Sequence, residues 1–132
     1  YGICLIVQIH KPYILFIIYI LLSNYILGQS KSQVWNVQTG QPVASLKYAA
    51  RQKIFTDVEF SKDGQFLLTG SPARKVYLWD LETGEQVQSI QVASRESVSP
   101  PTAVVYGVAF LPNDNILSIS SSGLAEEWQR ER

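Results

Sequence analysis

Two stretches of this chain repeat one pattern. Lys75-Val76-Tyr77-Leu78-Trp79-Asp80-Leu81-Glu82-Thr83-Gly84 alternates like a strand and ends on Thr-Gly. Val76 and Leu78 fall on one face; Tyr77, Trp79 and Leu81 fall on the other. Glycine accepts the positive φ of a tight turn, and residues 85–92 alternate again as a return strand. Val34-Trp35-Asn36-Val37-Gln38-Thr39-Gly40 carries the same pattern 44 residues earlier. A hairpin recurring at that distance implies stacked units, each covering its neighbour.

The spacing predicts strands over 33–38, 42–47, 54–60, 65–70, 75–81, 86–92, 103–110, 115–120 and 124–129. Ser61-Lys62-Asp63-Gly64 is a strong turn signal, and Leu111-Pro112-Asn113-Asp114 takes its place later. Val105, Val108 and Phe110 match Phe55, Val58 and Phe60 at a shift of 50. The repeat is therefore 44 to 50 residues long, with four short strands in each copy. That length and content mark a propeller blade. The extra length of the later copy falls in the loop 93–102, where insertion costs little closure entropy.

Residues 1–28 differ from the rest: they are rich in Ile, Leu, Tyr and Phe and hold no Asp, Glu or Arg. Three readings stand open. The run 13–27 is a membrane helix or anchor, although a span needs roughly 20 mainly apolar residues. Alternatively the segment is translated non-coding sequence, or it forms buried strands of a preceding unit. Lys11 and Lys31 flank the run on both sides and set no orientation. The chain divides at this stage into an apolar segment, 1–28, and a β region, 29–132. It lacks methionine and ends abruptly, and is read as a piece of a longer protein.

Lys+Arg and Asp+Glu number 11 each, which gives no electrostatic reason to expect nucleic acid as a partner. Cys4 and His10 are the sole residues of their types, so neither an internal disulfide nor a multi-cysteine metal site is expected, and no cofactor. Asp57, Asp63, Asp80 and Asp114 have no histidine or paired carboxylate at useful spacing. The serines of 118–122 lack a nucleophile-elbow pattern, and Gly64, Gly70, Gly84 and Gly123 punctuate turns. Catalysis is not expected.

Phe55, Val58 and Phe60-Ser61-Lys62-Asp63-Gly64, then Leu67-Leu68-Thr69-Gly70-Ser71, then Leu78-Trp79-Asp80-Leu81 with Thr83-Gly84, resemble the WD-repeat β-propeller family. The resemblance runs from about residue 33 to 128. The family's frequent Gly-His pair is replaced by Ala50-Arg51 and Pro100-Pro101, and Ala73 and Ser122 stand where its turn aspartate is common. The family's His–Ser/Thr–Asp–Trp hydrogen-bond network is accordingly expected to be missing. The resemblance implies an all-β fold of four-stranded antiparallel blades, about two and part of a third. Trp35, Trp79, Trp128, Asp80, Phe60 and Phe110 become structural repeat positions. It further implies a non-catalytic scaffold that binds protein partners through the loops 48–53, 71–74, 93–102 and 121–123, with Arg51, Arg74, Arg95 and Glu96 as contacts. The alternatives are a membrane-anchored propeller using 13–27, and an accessory to an enzyme or signalling domain outside this sequence; a cytoplasmic location is favoured. Val105, Val108 and Phe110 are expected to lie open where the ring is cut.

Overall fold

The computed structural model describes residues 3–10, 14–21, 31–36, 39–47, 55–94 and 101–131, with the backbone alone for 3–10, 14–21, 31–33 and 35. Eleven strands follow in order: β1 (Ile3–His10), β2 (Ile14–Leu21), β3 (Lys31–Asn36), β4 (Gln41–Leu46), β5 (Asp57–Phe60), β6 (Phe66–Gly70), β7 (Lys75–Asp80), β8 (Gln86–Gln91), β9 (Val105–Phe110), β10 (Ile116–Ser120) and β11 (Ala125–Trp128). They pair with their sequence neighbours into three antiparallel sheets, β1-β2-β3-β4, β5-β6-β7-β8 and β11-β10-β9.

The middle sheet shows why strand alternation matters here. The four central residues of β7 are all buried, because this sheet is covered on both faces. Tyr77, Trp79 and Leu81 pack with Leu67, Val58, Phe60 and Phe55 against Val34 and Leu46 of the first sheet. Val76 and Leu78 pack with Leu68, Ile90 and Val92 against Val105, Val108 and Ile116 of the third. Two cores thus flank one sheet, each fed by alternate residues of the same strands.

Pairing carries the repeat into three dimensions. Leu67 lies opposite Trp79 in the middle sheet, Ile116 opposite Trp128 in the third, and Ile17 opposite Trp35 in the first. A register shift comes just before the tryptophan in both complete sheets, at Val34/Trp35 and Leu78/Trp79. The extra residues on the outer strands are Val43 and Val87. A bulge leaves its extra residue unpaired, and both valines are exposed.

Two expectations change. Residues 14–21 of the run 13–27 form β2, paired with β1 and β3, where one reading had a helix. No helix among the described residues is long and apolar enough to cross a membrane. Val105 and Val108 are buried beneath the middle sheet, and Phe110 is partly buried there. Among the described residues from 103 onward, the large apolar side chains left open are Tyr106, Ile119 and Leu124.

The two Thr-Gly turns differ in surroundings. Gly40 and Gly84 both have positive φ, 69° and 73°. A Cβ on Gly40 would meet nothing within 4 Å, whereas one on Gly84 would lie 2.1 Å from the Ser45 carbonyl oxygen. The Gly84 carbonyl also accepts the Lys47 N–H at 2.9 Å, so this turn presses on the first sheet. Gly40→Ala is expected to cost about 1–2 kcal/mol for the left-handed backbone alone. Gly84→Ala should cost clearly more, as read by urea unfolding; equal losses would remove the close approach. Trp79→Ala should lose about 3–5 kcal/mol, the usual range for emptying a buried aromatic site. An unchanged melting temperature would refute its place in the core.

Candidate functional site

Each buried indole has a polar partner ten residues earlier. Trp79 Nε1 donates to Thr69 Oγ1 at 2.9 Å, and Trp128 Nε1 donates to Ser118 Oγ at 2.9 Å. The expected loss of the His–Ser/Thr–Asp–Trp network is therefore corrected in one limb. The hydroxyl-to-indole bond survives because buried polar groups need partners, whatever stands at the Gly-His and turn positions. Trp79 is wholly buried and Trp128 half-buried.

The inner edge is stitched by side chains of β5. The strand β9 is the edge of its sheet, and edge N–H groups need acceptors. Asp57 Oδ2 accepts the Val108 N–H at 3.0 Å and Glu59 Oε1 accepts the Phe110 N–H at 3.4 Å. The Thr56 hydroxyl donates to the Val105 carbonyl. Val58 and Phe60, which alternate with Asp57 and Glu59 in sequence, face the other core. Asp57 and Glu59 were missed as inter-sheet residues. The signal was present as carboxylates two apart on a strand.

The loops form a second tied region. Arg74 sits at φ 62°; its N–H donates to the Ala103 carbonyl, and its carbonyl accepts the Val92 N–H, both at 2.9 Å. Its guanidinium donates to the Val92 carbonyl through Nε at 3.2 Å and Nη2 at 3.1 Å. Ser71 O accepts the Val105 N–H at 3.0 Å. In the third sheet, Val104 N–H donates to Ser121 Oγ at 2.9 Å, and Ser121 N–H returns to the Val104 carbonyl at 2.9 Å. The loop 71–74 thus closes against residues on either side of the connection 93–102. Arg74, expected as a partner contact, is half-buried and shapes this loop. Arg51, Arg95 and Glu96 lie outside the described residues. Asp80 Oδ1 accepts the Glu82 N–H at 2.8 Å and so orders its own turn. Phe60 is buried in the first core. Trp35 has its backbone in β3, opposite Pro42. Among the described residues, no group of three or more His, Cys, Asp or Glu could hold a metal ion.

Comparison with known proteins places this geometry. Residues 40–80 match the family model of the WD domain, G-beta repeat. No curated protein matches the chain. Among solved structures, the chain is similar to the computationally designed Ika8 protein (TM-score 0.62, 23% identity, 92% of this chain and 31% of that one). It is similar to the designed Ika4 protein (TM-score 0.59, 23% identity, 92% of this chain and 62% of that one). It also resembles the β-propeller domain of Myceliophteria thermophila Cps50 (Swd1), with TM-score 0.59 and 19% identity over 85% of this chain and 31% of that one. The chain spans less than two thirds of each, and at these identities the likeness speaks for fold: that of a β-propeller.

Glu59 gives a pH test of the inner stitch. Burial pushes its carboxyl above the ordinary 4.5, the Phe110 N–H pulls it down, and the neighbouring Asp57 charge pushes it up again. The raised folded value means that the native state binds this proton more tightly than the unfolded chain. Its stabilising contribution is full below 4.5 and is lost as pH rises through the folded value. Glu59→Gln keeps an acceptor for Phe110 and removes the titration. Relative to wild type it should gain stability as pH rises from 4.5 to neutrality, followed by urea midpoints. A variant that loses ground over that window would overturn the assignment.

Proposed function

We propose that this stretch of WD-repeat β-propeller is a non-catalytic protein-interaction scaffold, part of a longer ring, holding protein partners on its loop surface. The WD repeat and the propeller likeness support an interaction role in general. The surface in question comprises 71–74, 121–123 and the connections 48–53 and 93–102. The observation that carries it is the bonding of loops 71–74 and 121–123 to the residues that flank the connection 93–102. Ser71 and Arg74 bind residues 92, 103 and 105, and Ser121 binds residue 104. Loops positioned on a rigid scaffold are where binding residues concentrate. Pro72, Ala73, Pro101 and Thr102 are exposed on this fixed backbone. Arg51, Arg95 and Glu96 are the proposed charged contacts, and Arg74 acts by holding the loop. The reading as part of a longer ring is supported by the greater length of the similar propellers.

The test is site-directed photo-crosslinking from Ala73 and from Ser122, with Val87 on the outer strand as control. The two loop positions are expected to capture the same protein from a cell extract, and the control to capture none. Adducts no more frequent at the loops than at Val87 would overturn this surface.

A further inference from the structure

Position 130 breaks the repeat. Two residues past the tryptophan of the middle sheet stands Leu81, buried in the first core. Two residues past Trp128 stands Arg130, whose side chain is only 12% exposed. Its guanidinium carbon lies 4.1 Å from the Phe66 ring centroid and 5.8 Å from that of Phe110. Its Nη1 donates to Asp114 Oδ2 at 2.7 Å. Asp63 also feels this positive charge, though its bonds to Ser61 and Gln65 do more to hold its carboxyl below the usual range.

Asp114 breaks the repeat as well. The matching position in the earlier turn is Gly64, and both residues have positive φ, 69° and 73°. Glycine takes that conformation freely, whereas aspartate bears backbone strain. The carboxylate against Arg130 is what the exchange supplies. Two touching positions thus depart from the repeat together. With the Phe66 and Phe110 rings they make two aromatic faces and a carboxylate, a set that recognises guanidinium by stacking and directed hydrogen bonding. A groove of about 790 Å³ opens beside it, lined by Asn113, Asp114, Asn115, Gln129, Arg130 and Glu131. Residues 129–131 belong to no strand, and one side chain bonds their backbone at both ends. Gln88 Nε2 donates to the Gln129 carbonyl at 3.1 Å, and Gln88 Oε1 accepts the Glu131 N–H at 3.0 Å.

We propose that Phe66, Phe110 and Asp114 form an arginine-binding pocket which Arg130 fills in cis, and which admits an arginine side chain of a protein partner from the groove when residues 129–131 lift from Gln88. The proposal rests on the scaffold reading and gives one partner contact its chemistry. The test uses the full chain and two probes, methylguanidinium and N-acetyl-arginine N-methylamide. Arg130→Ala should bind both saturably, with shifts in the Phe66 and Phe110 ring resonances. Wild type should bind at least tenfold more weakly. Gln88→Ala, which keeps Arg130 but frees its segment, should fall between. The matching lysine amide should bind Arg130→Ala more weakly than the arginine amide. Should Arg130→Ala lose its fold, methylguanidinium should restore it and methylammonium should not. A folded Arg130→Ala that does not bind, equal binding by wild type, or an unfolded variant without rescue overturns the pocket. Loop crosslinks from Ala73 and Ser122 alongside any of these results would retain the scaffold and remove only the pocket.

Discussion

The Trp79 indole sits wholly inside the protein and still finds an acceptor, the buried Thr69 hydroxyl at 2.9 Å. A buried indole N–H without a partner would cost about 1–3 kcal/mol. That requirement ties β7 to β6 in one register and turns the large ring toward the first sheet. Once that face is set, alternation sends Val76 and Leu78 to the third sheet. The same bond between Trp128 and Ser118 sets the third sheet in the same way. Stacking of the middle and third sheets therefore follows from one contact repeated in both, and the cores beside them are its consequence.

The seam between the middle and third sheets is polar at its inner edge and apolar outward. Asp57 and Glu59 supply acceptors to β9, while Leu68, Leu78 and Ile90 cover Val105, Val108 and Ile116. This stitch runs one way. At the shift of 50 the positions of Asp57 and Glu59 become Gly107 and Ala109, so the third sheet has no matching carboxylates to offer. Its outer face differs in another respect. Leu117 pairs with Glu127 where Leu68 pairs with Leu78. Asn115 and Asn113 donate to the Glu127 carboxylate at 2.7 and 3.1 Å and hold its pKa below the ordinary value. The two faces of the third sheet are thus chemically distinct, one apolar and buried, the other small and acidic beside an exposed Tyr106.

A common logic joins the loop surface and the Arg130 pocket. In both, a cationic side chain is withdrawn from solvent to fix local backbone, Arg74 on the Val92 carbonyl and Arg130 on Asp114. The neutral total of 11 basic and 11 acidic residues conceals this, because these arginines serve inward.

The β architecture, the blade period, the Thr-Gly turns and the inward Trp79 were all legible in the sequence, because each rests on local rules. Alternation marks a strand, glycine marks a positive φ, and a repeated aromatic marks a repeated core position. The strands at 66–70, 75–80 and 116–120 lie where the alternation puts them. What touches what across sheets was not legible. No spacing rule pairs Asp57 with Val108, Gln88 with Glu131, or Arg130 with Phe66, since these partners come from different repeats. The apolar segment at the start was open to three readings because hydrophobicity alone does not distinguish a span from a buried strand. Pairing of β2 with β3, a tertiary fact, makes 14–21 a strand and not a helix. Gly84 shows the division in a single residue. The sequence required glycine for the turn, and only the packing of that turn on Ser45 made its missing side chain a second requirement.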